Sequence, residues 1–269
     1  MANKRRPGRT RSTEVGEVRT LERGLMLLEA LSEAETLSLS ELARRTELSP
    51  STAYRLLETL RKRGFADWDE DRGLWKVGLR AYQVGSAFLT RGGLVDAAMP
   101  EMEKLVDELN ETVNLAVLDG NEAVYIAQVE GRQLIRMFTR IGARAPLYCT
   151  GVGKALLMGH SEAETRRMLG AGPFRPFTRK TLTTPEAFLD AIREAQRWGF
   201  ALDNEEREEG VRCIAAPVRD NRGKVVASMS LSAPASRVPD ERVQSLGERI
   251  RRAADAVSAR LGWKVQGSG

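Results

Sequence analysis

Residues 38–69 read SLSELARRTELSPSTAYRLLETLRKRGFADWD, and this stretch decides the fold of the amino-terminal part of the chain. Ser38, with Glu41 three positions later, has the pattern of a capping box, in which the two residues satisfy free backbone N–H groups at a helix start. Leucine and alanine then recur at helical spacing. The pattern predicts a short helix that ends near Thr46.

A second helix is predicted after a short turn. Ser49 suits the N-cap and Pro50 the first helical turn, where proline's missing N–H costs nothing. Gly64 is the type of residue at which a helix ends. The apolar positions predict the buried side of this helix, namely Ala53, Leu56, Leu57 and Leu60. The polar positions of its first turns predict the outer side, namely Ser51, Thr52, Tyr54 and Arg55.

The next segment predicts a β-hairpin. Residues 65–68 and 74–77 have strand-like composition, and Gly73 lies in the turn between them. Two helices joined by a short turn and followed by a hairpin form a winged helix-turn-helix, whose second helix enters the DNA major groove. The alternative is a plain helical hairpin packed inside a larger domain.

The composition favours two soluble domains. The chain has 269 residues, of which 42% are apolar and 29% are charged. No apolar run approaches the ~18–20 residues of a membrane span, and no apolar segment follows the basic amino terminus, so we expect a cytoplasmic protein. Cys149 and Cys213 are too few for a disulfide framework and are expected to be reduced thiols.

Positive charge is concentrated at the amino terminus. The formal net charge is +5. Residues 1–17 are predicted to form a basic flexible arm that follows the DNA backbone or enters a minor groove, with a solubilising tail as the alternative. The basic residues of this region are Lys4, Arg5, Arg6, Arg9, Arg11 and, just beyond it, Arg19.

Hydrophobic periodicity predicts α+β architecture for the remainder. Leu21, Leu25, Leu28 and Leu31 form the apolar stripe of a helix over residues 20–32 that covers the helix-turn-helix. After a linker helix, short strands, including one at 133–140, alternate with helices that start at Ser161 and Thr184, which predicts an antiparallel sheet flanked by helices. The predicted boundaries are 1–17 for the arm, 18–78 for the winged domain, 79–93 for the linker, 94–263 for the second domain and 264–269 for a flexible tail.

In this order, the segments resemble the IclR family of transcriptional regulators, over residues 18–263. The resemblance depends on the whole series, because a winged helix alone does not identify a family. The segments that carry it are VRTLERGLMLLEAL at 18–31, residues 38–65, WKVGLRAYQVGSAFL at 75–89, RAPLYCTGVGKALL at 144–157 and FALDNEEREEGVRCIAAPVRDNRGKVVASMSLSAPASRV at 200–238.

The resemblance implies a winged helix-turn-helix joined by a linker helix to a GAF-like effector domain with an antiparallel sheet. It further implies a homodimer or tetramer on palindromic double-stranded operator DNA, and a small organic acid as effector. Tyr148 stands where the family frequently has histidine. The implied effector-binding residues are Cys149, Thr150, Gly151, Asp203, Cys213, Ser230 and Ser232.

Residue chemistry agrees with an organic acid. The glycine-bearing CTGVG loop at 149–153 precedes a helix, so that its N–H groups can meet a carboxylate. Ser230 and Ser232 alternate with apolar residues and donate from one side of a strand, unless that side is simply the solvated face. Cys213 is equally a small core residue. Leu134 and Met137, with Phe138, are predicted apolar walls of the pocket, although core packing explains them equally well.

The outer face of the second helix is the predicted DNA-binding surface. Arg55 is suited to reading guanine, whereas Ser51, Thr52 and Tyr54 suit phosphate contacts near a helix start. Basic neighbours add affinity that is independent of sequence. The predicted DNA contacts are Arg19, Ser38, Arg44, Arg45, Ser49, Ser51, Thr52, Tyr54 and Arg55.

Two other classes of function are compatible with parts of the sequence. An enzyme would use Cys149 or Cys213 as nucleophile and His160, the single histidine, as base, or a makeshift metal site with Asp203. An architectural DNA-binding protein would not need so large a second domain. We therefore predict a ligand-responsive regulator without enzymatic activity, cofactor or metal: a repressor of a catabolic operon released by a small organic acid, with an activator of the same architecture as the alternative.

Overall fold

The winged unit is built around the two predicted helix starts. The structure, a computed structural model, describes residues 18–90, 93–134 and 137–264, with backbone only for 88–90; the predicted arm and most of the tail lie outside these ranges. The Ser38 hydroxyl and the Glu41 carboxylate form the predicted capping box, and the Ser49 hydroxyl accepts from the N–H of Thr52. The elements are α1 (Arg19–Ser32), α2 (Leu39–Arg45), α3 (Pro50–Lys62), β1 (Ala66–Asp69) and β2 (Leu74–Val77).

Trp75 of the hairpin ties the wing to the helices. Its indole is buried with the side chains of Leu27, Leu42 and Leu57 in one core. Its backbone exchanges two hydrogen bonds with Leu37, of 2.8 and 2.9 Å, in front of α2. Gly64 and Gly73 end α3 and turn the hairpin with φ of +75° and +66°, a region that glycine enters without strain. The winged helix-turn-helix is confirmed and the plain helical hairpin is excluded.

The apolar stripe of α1 is only partly buried, unlike the prediction. Leu31 lies in the core as expected, but Leu21 and Leu25 are 63% and 50% exposed. The helix extends beyond the end of the helix-turn-helix core, so that its first turns have nothing to pack against in this unit. The exposed residues also include Val18 and Met26.

The remaining elements form the second unit of the chain, which divides between Phe88 and Leu89. The helix α4 (Leu79–Thr90) crosses this division. A six-stranded antiparallel sheet follows, in the order β5-β4-β3-β8-β7-β6. The elements are α5 (Leu94–Leu109), β3 (Thr112–Asp119), β4 (Glu122–Val129), β5 (Arg144–Pro146), α6 (Gly151–Leu157), α7 (Glu162–Leu169), α8 (Pro185–Trp198), β6 (Ala201–Asn204), β7 (Val211–Arg219), β8 (Val225–Pro234) and α9 (Asp240–Arg260).

Helices cover both faces of this sheet. Helices α5 and α9 pack on one face, over Leu115, Met229 and Leu231. Helices α6 and α8 pack on the other, over Ala116 and Ala215. The α+β prediction is confirmed, and so are the helix starts at Ser161 and Thr184, whose side chains accept hydrogen bonds from the N–H groups three positions later.

The predicted strand at residues 133–140 is wrong. Of this stretch, residues 133, 134 and 137–140 adopt no regular structure, and 135–136 lie outside the described ranges. The Thr112 hydroxyl donates to the Met137 carbonyl at 2.7 Å, and Gly142 then turns the chain with a φ of +85°. The edge of the sheet is completed by β5 instead, because the buried side chain of Ala145 anchors it there.

Membrane-spanning helices are not found in the described ranges, where every helix is too short or too polar to cross a bilayer.

Candidate DNA-binding surface and ligand cavity

The outer face of α3 presents polar side chains from its first turns. Ser51, Tyr54 and Arg55 are exposed, and Thr52 is half-buried. No acidic residue lies in the first turn of the helix, so its N–H groups and its dipole face solvent without a competing negative charge. The Tyr54 ring meets Trp75 edge-on, with 6.5 Å between ring centroids. The aromatic contact fixes the start of α3 against the wing.

Three of the predicted contact residues also serve the fold. The Ser38 hydroxyl lies 2.7 Å from the Glu41 carboxylate, and the Ser49 hydroxyl lies 2.8 Å from that of Thr52. A hydroxyl that accepts a capping hydrogen bond can still donate its own O–H to a phosphate, although the Ser38 hydroxyl already donates to the Glu41 carboxylate. Their loss would therefore lower stability as well as affinity for DNA.

Two basic residues of this surface are held in ion pairs, and Arg55 is not one of them. Arg45 pairs with Glu33 at 3.5 Å, and Arg61 pairs with Glu58 at 3.0 Å. Arg55 has no ion-pair partner among the residues described for this unit. Arg44 and Arg19 are exposed on α2 and at the first position of α1. An unpaired guanidinium on the outer face of a recognition helix is free to make a bidentate contact with guanine.

A cavity of about 290 Å³ lies on the α6 side of the sheet, beneath residues 137–145 and beside the loop after β6. It brings together side chains from segments far apart in the sequence. Seven of the predicted effector-binding residues line it: Met137, Thr150, Gly151, Asp203, Cys213, Ser230 and Ser232. Two do not: Cys149 is fully buried, and the Leu134 side chain is almost completely exposed.

Sheet register places the polar side chains of the cavity in neighbouring rows. Asp203 of β6 pairs with Cys213 of β7, which pairs with Ser232 of β8. The thiol of Cys213 donates to the Ser232 hydroxyl at 3.1 Å. Ser230 and Ser232 are both buried, on the opposite face from the core residue Leu231. The predicted alternation is confirmed, and the solvated-face alternative is wrong.

Asp203 shapes the loop after β6. Its Oδ1 atom accepts a hydrogen bond of 2.8 Å from the backbone N–H of Glu206. Burial raises the pKa of the Asp203 carboxyl to about 7, and the nearby Glu206 carboxylate adds to the rise. Lys154 and the backbone N–H groups of Glu206 and Arg207 oppose it. Near neutral pH, Asp203 is therefore partly protonated and can donate as well as accept.

The raised pKa predicts a pH-dependent stability. Between pH ~4 and ~7 the folded protein keeps a proton on Asp203 that the unfolded chain has released, so stability is lost as pH rises towards 7. We expect the free energy of unfolding to fall by about 1 kcal/mol more between pH 6 and pH 8 in the wild type than in Asp203→Asn. Urea denaturation at both pH values measures this difference. An equal change in the free energy of unfolding between pH 6 and pH 8 in the two proteins would contradict it.

Neither cysteine is prepared for nucleophilic chemistry. Burial raises the pKa of the Cys149 thiol to about 12 and that of Cys213 as well. Nucleophilic cysteines instead need a lowered pKa, because the thiolate is the reactive form. His160 does not line the cavity, and its buried Nδ1 atom has no partner among the described residues. Within the same residues, no cluster of histidine, cysteine and acidic side chains forms a metal site.

The helix α6 is locked against the loop after β6 by a buried ion pair. Lys154 donates to the carbonyl of Leu202 at 2.7 Å and pairs with the carboxylate of Glu206. Both charged side chains are almost completely buried. Gly153, next to Lys154 in α6, allows the backbone of Leu147 to approach the helix closely. A Cβ atom at this position would lie 2.3 Å from the Leu147 carbonyl oxygen. The glycine-lysine pattern of residues 153–154 therefore has a structural reason.

The lining residues that sequence reasoning missed include Tyr125 and Arg207. Tyr125 lies in β4 between apolar residues, and nothing in that pattern separates it from a core tyrosine. Arg207 had a usable signal, since it is the one basic residue in the acidic run at 203–209. Tyr148 does not line the cavity; its ring stacks on Phe174 at 4.7 Å between centroids.

A winged helix-turn-helix joined to a helix-flanked sheet with an internal cavity defines a two-domain transcriptional regulator. Comparison with known protein families supports this class. Residues 20–70 match the IclR helix-turn-helix domain, and residues 86–259 match the carboxy-terminal domain of bacterial transcriptional regulators of the IclR type. The chain belongs to the IclR family.

Individual relatives match along nearly the whole chain. The HTH-type transcriptional regulator BhcR of Paracoccus denitrificans is 38% identical over 94% of this chain and 91% of its own. The acetate operon repressor of Salmonella typhimurium is 37% identical over 96% and 95%. The crystal structure of an IclR homolog from Microbacterium hydrocarbonoxydans complexed with 4-hydroxybenzoate covers 90% of this chain and 98% of its own, with a TM-score of 0.82 and 25% identity.

Proposed function

We propose that the protein is a cytoplasmic repressor that binds palindromic operator DNA and is released from it by a small organic acid. The observation that carries the proposal is the cavity of about 290 Å³ in a chain that also has a winged helix-turn-helix. The acetate operon repressor among its relatives and the homolog complexed with 4-hydroxybenzoate support this function. We assign DNA binding to residues 18–78 with the arm, linkage to 79–93 and effector binding to 94–263.

The size and lining of the cavity support a small polar effector. A volume of about 290 Å³ is just below the range of ~300–1,000 Å³ for ligand pockets, which suits an acid of few carbon atoms or one ring. The Ser230 and Ser232 hydroxyls and the Thr150 region would meet its oxygen atoms, whereas Met137 would meet its apolar part. We do not extend this role to Leu134 and Cys149, which lie outside the cavity.

Exposed apolar residues support assembly into homodimers or tetramers. Leu21 and Leu25 of α1 and Leu79 and Tyr82 of α4 are at least half exposed. Large apolar side chains grouped on helix surfaces are typical of subunit interfaces. A symmetric dimer carries two recognition helices at a set distance and therefore selects two half-sites at matching spacing. An effector that favours a different distance between the two recognition helices lowers the affinity of the dimer for the operator.

Ser230→Ala combined with Ser232→Ala is expected to abolish the response to the effector and to leave operator binding intact. The two hydroxyls are removed from the cavity without changing the backbone of β8. The measurement is operator binding by fluorescence anisotropy with a titration of organic acids. Met229→Val, on the opposite face of the same strand, is a matched control that should respond as the wild type does.

Two outcomes would count against the proposal. A double variant that still responds fully to the acid would remove these serines from the effector site. A wild-type protein that prefers no promoter fragment over random DNA would contradict the regulator itself, and in vitro transcription on a preferred fragment separates repression from activation.

A further inference from the structure

The mouth of the ligand cavity carries a cation without a counter-charge. Arg207 lines the cavity, and its guanidinium carbon lies 3.9 Å from the centroid of the Phe177 ring. In the described part of the chain, no carboxylate forms an ion pair with this guanidinium. The two acidic residues before it are engaged elsewhere, since Glu205 pairs with Lys180 and Glu206 with Lys154. Arg207 therefore faces the cavity with unused hydrogen-bond donors.

The loop that carries Arg207 is held in place by several contacts. The Thr178 hydroxyl donates to the Glu205 carbonyl at 2.7 Å, and the Thr181 hydroxyl donates to the Glu206 carbonyl at 2.6 Å. Asp203 accepts from the N–H of Glu206 at the start of the loop. Stacking on an aromatic ring restricts a guanidinium while its N–H edge stays available, so less freedom is lost when an anion binds.

The other basic groups of this region are less suited to a bound acid. Arg144 lines the cavity but is held by Asp119 and Glu122. Lys154 is buried in its ion pair with Glu206. Arg140 lines the cavity from a segment without regular structure and has no aromatic ring or carboxylate beneath it among the described residues. Arg207 is thus the cation that is both unpaired and fixed in position.

The inner wall of the cavity is polar but does not supply positive charge. Ser230, Ser232 and the Cys213 thiol are neutral, and burial raises the pKa of the Tyr125 hydroxyl, which stays protonated. Such groups can donate to a carbonyl or hydroxyl oxygen of a ligand. They do not replace the hydration that a carboxylate loses on entering the cavity. A cation strengthens the binding of a carboxylate beyond what neutral donors supply, and the acidic side chains that line the cavity are those of Asp203 and Glu208.

We propose that Arg207 determines the specificity of the cavity for acids, by binding the effector carboxylate with the guanidinium that rests on Phe177. The inference rests on the proposed function, because it assigns a role within the same effector site. It places the carboxylate at the mouth, and the remaining oxygen atoms of the ligand against Ser230, Ser232 and Tyr125. It also explains why the rim carries a basic residue within an acidic run.

The test compares acids with their neutral amides on the full-length protein. The probes are pyruvate, lactate and 4-hydroxybenzoate, each against its primary amide, by thermal shift and then by calorimetric titration. Arg207→Gln is expected to weaken binding of the acid about tenfold, since hydrogen bonds to charged groups contribute about that much, and to leave the affinity for the amide unchanged. Arg207→Lys should restore part of the loss.

Arg175→Gln is the matched control. Arg175 also lies over the Phe177 ring, at 5.3 Å, but does not line the cavity, so its replacement should leave the acid affinity at the wild-type value. Melting without ligand shows whether each variant is folded. The assignment is overturned if Arg207→Gln keeps the wild-type preference for acids over amides, or if it loses both equally. A wild-type protein that binds none of the acids contradicts the proposed function and Arg207 with it.

Discussion

Arg55→Ala is expected to lower affinity for the operator by about 10- to 100-fold relative to random DNA, because a bidentate arginine–guanine contact contributes about 1–3 kcal/mol of discrimination. The side chain is exposed on the outer face of α3 and has no ion-pair partner in the part of the chain that the structure describes. Its removal disturbs neither the core nor a helix cap. Competition binding with specific and random DNA duplexes measures the ratio directly.

Arg61→Ala is the control for this prediction. Arg61 lies on the same helix but in its last turn, where it pairs with Glu58. Its loss should weaken binding to both duplexes alike and reduce the dependence of affinity on salt concentration, without changing the ratio. Both variants should keep the wild-type response to effector. A specificity ratio unchanged in Arg55→Ala would remove this residue from base recognition.

Lys154→Ala is expected to lower the free energy of unfolding of the second unit by about 3–5 kcal/mol, which is typical when one partner of a buried ion pair is removed. The Lys154 ammonium group is nearly inaccessible and also donates to the Leu202 carbonyl at 2.7 Å. Without it, the Glu206 carboxylate is left buried. One of its oxygens, Oε2, already has no hydrogen-bond partner among the described residues. Urea denaturation followed by circular dichroism measures the loss.

Two further variants separate this effect from a general loss of packing. Lys180→Ala removes the exposed ion-pair partner of Glu205, the residue next to Glu206. This change should leave the free energy of unfolding close to the wild-type value. Lys154→Met combined with Glu206→Leu replaces both charges with apolar groups and should recover much of the loss. If the double variant is as unstable as Lys154→Ala, the buried Glu206 carboxylate is not the cause of the lost stability.

Local chemistry made the winged unit predictable. Ser38 and Ser49 cap helices through bonds to N–H groups three positions away, and proline and glycine restrict the backbone at their own positions. Such interactions are encoded within one helical turn. For the same reason, the starts of α7 and α8 at Ser161 and Thr184 were predicted correctly. The position of Ser230 and Ser232 on one face of β8, with Met229 and Leu231 on the other, follows in the same way from the geometry of a strand.

Errors arose where a pattern needed a distant partner. Residues 133–140 have strand-like composition, but a strand forms only where a neighbouring edge accepts its hydrogen bonds, and β5 occupies the edge of β4 instead. Leu21 and Leu25 fit the helical stripe of α1, yet the helix-turn-helix core ends before it reaches them. Leu134 has an apolar side chain that lies almost entirely in solvent.

The sequence by itself determined the helix starts and the polar outer face of α3, because these depend on spacing along one chain segment. The resemblance to the IclR family supplied six of the residues that line the cavity. Only the tertiary structure decided that Lys154 is buried against Glu206, that Asp203, Cys213 and Ser232 stand in one row, and that Arg207 rests on Phe177 at the cavity mouth. These contacts join residues tens of positions apart. Their geometry depends on strand register and on burial, which set hydrogen-bond partners and pKa values through neighbours that no local pattern specifies.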